Sequence, residues 1–319
     1  RHSPTPTPTM PRVIEFRIPF PCTPEQYKWG QIYTVAKVCT EMTDPKDGAG
    51  VESIANESCT LNGYGEGVYT KKYYHFRSKL PGYVRAVTPK AATFMEEEAW
   101  NCFPYARTII SHPSFSKFSI EITTIHAPAK RDASGKIEYE DNVHKLEGSQ
   151  LKSRKVREVD IGDSSDVKKE QYKEEEDPSR KVAGGIGPLT PGWMGREGEV
   201  MVAYKLVTIT CNYFGISGLV EDYLEGYEYG LFKSSHRKFY CWMDDWYGLS
   251  HDEIRAYEAK ANKEMTEKMQ TAKNAGPVGQ AAIQAALLSG EMDDMTLSTH
   301  SLPDGSSPSG GGKSPMGAS

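Results

Sequence analysis

The sequence predicts an α+β fold in which a curved antiparallel sheet wraps around long helices. Three observations carry this expectation: apolar residues recur with period two over most of the chain, capping boxes open helices near both ends, and an aromatic-rich stretch at helical spacing precedes the last of them. In chain order, Ile14, Phe16, Ile18 and Phe20 alternate with Glu15, Arg17 and Pro19, the mark of a half-buried strand. Thr23 and Gln26 form a capping box with Pro24 at the first helical position, opening a helix toward Cys39. Gly63, Gly65 and Gly67 precede a strand and do not join strand to helix, so they read as a hairpin turn and not as a phosphate cradle. Further strands are expected over Val68–Leu80, Tyr83–Val87, Tyr105–Ser111, Phe118–His126 and Val200–Cys211, and a short helix over Ala91–Trp100. Gly148 to Arg180 mixes charges densely and runs into the glycine-rich Gly184–Gly192, as expected of a mobile surface excursion. Leu219–Trp246 reads as helix, and Ser250 with Glu253 caps another that runs to about Gln270. The Pro-alternating lead, 1–11, and the Gly, Ser and Pro-rich tail, 271–319, are expected to be disordered, leaving 12–270 as the folded unit.

Composition narrows the function. The 319 residues carry a net charge of −5, which argues against a dedicated nucleic-acid binder, because that role needs a basic face to displace counterions. Nothing approaches the roughly 18 apolar residues of a membrane span, and the first residues lack the apolar stretch of a secretory signal, so the expected location is the cytoplasm. The Asn56 sequon is accordingly expected to stay unmodified. Six cysteines form no CxxC pair and read as reduced, mostly structural thiols; the eight histidines show no metal-ligand spacing. No nucleophile elbow, zinc-protease, P-loop or kinase motif is present, so neither catalytic residue, metal nor cofactor is assigned.

The informative residues are charges embedded in apolar stripes. Strand alternation places Lys205 on the face of Met201, Ala203, Val207 and Ile209. A buried, unpaired ammonium costs several kcal/mol, so Lys205 meets water, a carboxylate or a bound anion, unless this is simply an outward face with scattered apolar residues. Thr70 and Lys72 repeat the situation beside Val68, Tyr74 and Phe76. On the expected Ala91–Trp100 helix, Glu97 lies one turn from Phe94 and from Asn101; in the last helix Glu258 falls inside the stripe of Ile254, Tyr257, Ala261 and Met265. A solvated flank suits each pair alone. Together, two cations, two acids, an amide and the hydroxyls of Thr70, Thr108 and Thr124 suit a phosphorylated, sugar-like headgroup, and the apolar remainder suits acyl chains.

Several segments then resemble one family: Tyr69 to His75 (YTKKYYH), Ala99 to Thr108 (AWNCFPYART), Glu140 to Glu147 (EDNVHKLE), Gly187 to Trp193 (GPLTPGW), Ala203 to Thr208 (AYKLVT) and Phe239 to Trp246 (FYCWMDDW). Over about 12–270 the chain resembles the phosphatidylinositol transfer proteins, whose START-like, helix-grip fold encloses one phospholipid. The resemblance implies that Thr70, Lys72, Asn101 and Glu258, with Glu97 as a further candidate, contact inositol, and that Gln31, Thr108, Thr124 and Lys205 surround the lipid phosphate. It implies an exchange loop at Gly82–Met95, a regulatory loop at about 148–198 and a lid formed in part by the helix carrying Glu258. Where the family has an exposed tryptophan pair, this chain has Tyr213 and Phe214 as membrane-docking residues. Where it has a cysteine at the choline-lipid position, this chain has Ala106, and the loop 127–140 is longer than the family's.

The function implied is exchange of one phosphatidylinositol or phosphatidylcholine molecule between membranes by a monomer that touches the bilayer transiently, without covalent chemistry and with lipid kinases as possible partners. Two rival readings are a lipid sensor presenting inositol lipid to a kinase and an enzyme using Lys205 or Glu97 as general base.

Overall fold

The computed structural model describes residues 10–43, 49–76, 94–167, 169, 172–213 and 217–274. Eight strands form one sheet in the order β2-β3-β4-β5-β6-β10-β1-β9. The strands are β1 (Arg12–Phe20), β2 (Ala49–Leu61), β3 (Gly65–Phe76), β4 (Phe94–Cys102), β5 (Tyr105–Ser111), β6 (Phe118–Pro128), β9 (Lys155–Glu158) and β10 (Met201–Cys211). The two-residue strands β7 (Lys130–Arg131) and β8 (Ile137–Glu138) pair separately. Neighbours in the large sheet are antiparallel except β9, which runs parallel to β1.

The helices are α1 (Pro24–Met42), α2 (Gly148–Ser153), α3 (Ser217–Cys241), α4 (Met243–Trp246) and α5 (His251–Asn274). Both expected capping boxes form: the Gln26 amide nitrogen donates to Thr23 Oγ1 at 3.2 Å while Gln26 Oε1 accepts from the Thr23 backbone at 2.9 Å, and Ser250 and Glu253 exchange the same bonds at 3.3 and 2.8 Å. The glycine cluster makes the β2–β3 hairpin, with Gly63 and Gly65 at φ 85° and 87°, a region that favours residues without a Cβ.

Three expectations change. Residues 94–100 are strand, not helix: Glu96, Glu97 and Glu98 sit in register between β3 and β5, and the cross-strand partners override the modest helix propensity of a Met-Glu-Glu-Glu-Ala run. Strand β1 is buried on both faces, not one, because the segment 139–200 packs over its outer side: buried Glu15 pairs with Arg17 at 2.6 Å and Arg154 at 2.9 Å. That segment, expected as a surface excursion, supplies β9 and the buried residues Val159, Ile161, Ala183, Leu189 and Trp193. Arg237 of α3 holds it, donating to the Ile161 carbonyl at 2.8 Å and pairing with buried Asp177 at 3.1 Å. The Tyr83–Val87 strand and the C-terminal part of Val68–Leu80 lie outside the described residues.

The helices close over the ends of one sheet face. On the β1 side Phe16 and Phe20 meet Phe232 and Phe239 of α3, at ring separations of 5.3 and 4.4 Å. On the β2 side Val51 and Tyr74 pack with Cys39 of α1 and Met265 of α5. Among the described residues no helix makes a substantial contact with β4 or β5 between those flanks.

Gly30 marks how tightly α1 approaches α3 and α4, since a Cβ there would lie 2.4 Å from the Phe239 ring and 2.7 Å from Trp246. Ala normally stabilises a helix interior relative to Gly by about 1 kcal/mol. Here the clash reverses the sign, and we expect Gly30→Ala to lower stability by about 1–3 kcal/mol in urea titration.

Candidate functional site

Pairing register decides which side chains share a face, because directly opposed residues in a sheet project to the same side. One line across β4, β5, β6, β10 and β1 reads Asn101, Ala106, Thr124, Lys205, Phe16. A second reads Thr70, Ala99, Thr108, Ile122, Val207, and a third Lys72, Glu97, Ile110, Ile120, Ile209. Phe16 and Tyr74 belong to this face, so it is the one the helices cover at its ends. The sheet thus gathers Thr70, Lys72, Glu97, Asn101, Thr108, Thr124 and Lys205 on one side, across strands β3 to β6 and β10. The alternating residues do the opposite: Lys71 pairs with Glu96 at 2.9 Å and Tyr69 donates to Glu98 at 2.7 Å on the other face.

Glu97 and Asn101 stay together despite the change from helix to strand, since four residues return a side chain to the same side in either geometry. Three residues do not, and Phe94 moves to the outer face beside Tyr73, with ring centroids 5.0 Å apart.

Two ionic clusters occupy this interior. At the first, Lys72 lies directly opposite Glu97, whose Oε1 accepts a hydrogen bond from the Tyr74 hydroxyl at 3.3 Å. Burial disfavours the Lys72 ammonium, but Cys39, Glu97 and Glu258 outweigh it and raise its pKa above the ordinary lysine value. Glu258 reaches this cluster electrostatically from α5 while its Oε2 accepts from Arg255 at 2.8 Å. At the second, Lys205 donates a long hydrogen bond to Thr124 Oγ1 at 3.4 Å and lies 5.1 Å from the centre of the Phe232 ring. Among the described residues no carboxylate comes within 4 Å of it, and burial pulls its pKa down to about 8, with Glu228 acting in the other direction.

Glu228, on α3, is 1% exposed, and its Oε2 has no hydrogen-bond partner. Burial pushes its pKa up to about 7 against the pull of Lys205. Nearby, His126 donates Nδ1–H to the Pro104 carbonyl at 2.9 Å, leaving a buried Nε2 without a partner. His236 donates Nδ1–H to the Phe232 carbonyl and accepts from the Tyr27 hydroxyl, both at 2.7 Å. Thr34 of α1 adds a third buried unpartnered atom, its Oγ1.

Sequence reasoning missed Glu228, His126 and His236, although the signal used for Glu258 was present. Glu228 sits between Leu224 and Phe232 at four-residue spacing on a helix, and His126 shares the parity of Ile122 and Thr124 on β6. Gln31 is half-buried on α1, one turn before Thr34. Tyr213 lies 6.5 Å from the exposed Phe115 ring; Phe214 and most of the expected exchange loop fall outside the described residues.

Burial, reinforced by the nearby Lys205 charge, keeps both imidazoles neutral, with pKa values lowered to about 3. Between pH about 6.5 and about 3 the unfolded chain therefore binds protons that the folded chain does not, and stability falls as pH falls, by about 1.4 kcal/mol per pH unit for each imidazole. His236→Gln is expected to lower stability at neutral pH yet remove about half of this acid dependence, read by urea unfolding at successive pH values.

Comparison with known proteins gives the family. The family model described as phosphatidylinositol transfer protein matches residues 11–263. The chain is similar to phosphatidylinositol transfer protein 1 of Dictyostelium discoideum, at 38% identity over 264 residues covering 81% of this chain and 96% of that protein. It is similar to the human phosphatidylinositol transfer protein beta isoform, at 36% identity over 79% of this chain and 93% of that protein. A region of the Drosophila melanogaster protein retinal degeneration B, 21% of its length, matches at 35% identity. The chain belongs to the phosphatidylinositol transfer protein family.

Proposed function

We propose that this chain extracts one phosphatidylinositol or phosphatidylcholine molecule from a bilayer, carries it enclosed over the β3–β5 face, and releases it into another membrane. The observation that carries the reading is the inner face itself: cations, carboxylates and hydroxyls from five strands converge there, between helix-covered flanks, with three buried polar atoms lacking partners. A protein interior leaves few such atoms unanswered. A phosphodiester offers acceptor oxygens to Lys205, Thr108, Thr124 and Gln31, and the hydroxyls of a ring offer donors and acceptors to Thr70, Lys72, Glu97, Asn101 and Glu258.

The acyl chains supply the physical need for enclosure. Each exposed methylene costs about 0.8 kcal/mol, and two chains carry on the order of thirty, so unassisted desorption is slow. Enclosure removes most of that penalty, and no bond is made or broken. Residues 12–270 act as the transfer unit, with segment 148–198 regulating it and Tyr213 and Phe214 docking it to the bilayer. Between encounters the protein carries its cargo through the aqueous phase.

Inositol makes hydrogen bonds that choline does not, so removing one protein partner strands a buried group for one lipid and not the other. Thr70→Ala, Lys72→Ala or Glu258→Ala is expected to cut vesicle-to-vesicle transfer of labelled phosphatidylinositol about tenfold and to spare phosphatidylcholine. Lys205→Met is expected to impair both lipids, since both carry the phosphodiester. Equal loss of both lipids in the folded Thr70, Lys72 and Glu258 variants overturns the headgroup assignment.

A further inference from the structure

Helix α3 has two functional faces. Its inner face carries Glu228, Phe232 and His236 at the Lys205 cluster. Its outer face exposes Leu219, Tyr223, Tyr227 and Leu231, by 73%, 62%, 51% and 39%. These four recur every fourth residue, which makes one continuous stripe about 18 Å long. Beside it runs a second row of small residues, Gly218, Gly226, Gly230 and Ser234, interrupted by Asp222. Among the described residues, a Cβ at any of the three glycines would meet nothing within 4 Å, so none of those residues demands glycine there.

The outer face is electrically quiet. Its one charge, Asp222, is held by Arg12, which also pairs with Glu225 at 3.1 Å; Glu225 in turn takes Lys155 at 3.0 Å. Two large apolar and two amphipathic aromatic side chains without free charge match the chemistry of the zone between lipid headgroups and acyl chains, where tyrosine concentrates. The stripe exposes on the order of 400 Å². A stable contact with a second copy of the chain needs roughly 800 Å² from each partner, so the face is too small for that occupant. Continuity points the same way. The Ser217 hydroxyl, at the head of α3, donates to the Tyr213 carbonyl at 2.8 Å, and the Tyr213 ring lies 6.5 Å from the exposed Phe115 ring, so both aromatic residues belong to the end of α3 where the stripe begins.

We propose that the Leu219, Tyr223, Tyr227 and Leu231 face of α3 lies in the interfacial zone of a bilayer during lipid exchange, docking by apolar insertion and not by charge. The proposal rests on the transfer reading, because exchange requires that the protein meet a membrane. It also specifies the surface: a zwitterionic bilayer suffices, and salt leaves the contact intact.

The test is flotation of the full chain with phosphatidylcholine vesicles at low and high salt. The wild type is expected to bind similarly at both, and Tyr223→Ser/Tyr227→Ser/Leu231→Ser to lose about tenfold in partitioning. All three positions face solvent, so an unchanged thermal transition and circular dichroism spectrum will report an intact fold. Val182→Ser, at an exposed apolar residue of the 148–198 segment, is the control and is expected to bind as wild type. Unchanged partitioning of the triple variant overturns the proposal, as does binding that salt abolishes, or a wild-type dimer that the triple variant dissociates with vesicle binding unaltered. Labelled-lipid transfer by the wild type is measured in parallel: its absence defeats the transfer reading, whereas normal transfer alongside an indifferent α3 face defeats the docking surface alone.

Discussion

A cation taken out of water has to be answered by negative charge or strong acceptors, and in this protein that demand is concentrated at Lys205. Its strand neighbours Ala203 and Val207 and its register partner Phe16 are apolar and buried, and the one long hydrogen bond it donates to Thr124 Oγ1 is a weak reply. Glu228 supplies the missing sign from α3 at the cost of burying an oxygen that bonds to nothing. The pair is therefore a poor structural bridge, which suits the proposed role as a phosphate receptor. A bound phosphodiester offers Lys205 closer oxygens, and a carboxyl group whose pKa is pushed up to about 7 can take a proton and stop competing for the same cation.

The same logic explains why the two lysines of the inner face behave differently. Lys72 sits across from Glu97 and within the field of Glu258, so its ammonium is held before any cargo arrives. Among the described residues Lys205 has only the more distant Glu228 to offset its burial, and its pKa falls to about 8. On the proposed assignment, polar selection at one end and charge completion at the other would divide a headgroup between ring and phosphate, and strands β4 and β5 between them, which no described helix contacts closely, would leave breadth for acyl chains. Register keeps these functions aligned: a slip of one residue on any strand would send its polar set to the opposite face.

Much of this was legible in the sequence, for a physical reason. Period-two alternation survives whatever surrounds a strand, so the sequence places Lys205, Thr70 and Lys72 on the right faces without any tertiary contact. Where tertiary contacts decide, local reading failed. Nothing in Met-Glu-Glu-Glu-Ala announces two flanking strands, and nothing in the charge-rich stretch after Gly148 announces that Arg237 and Asp177 would anchor it. Glu228 escaped because a stretch dense in aromatic residues hides one acid among many positions at helical spacing. The lesson is local: the charges that interrupt a stripe were informative, and one interruption was overlooked.

The placement of β1 carries a consequence for biosynthesis. Its antiparallel partner is β10, and the Arg12 to Ile209 pairing joins positions separated by about two hundred residues. The early strand emerges from the ribosome with Ile14, Phe16, Ile18 and Phe20 ready to pair, yet at roughly 5–20 residues per second its mate follows some 10–40 seconds later. During that interval an apolar edge is exposed to other nascent chains, so the yield of active carrier in a cell depends on whatever shields that edge during translation as well as on the stability of the finished fold.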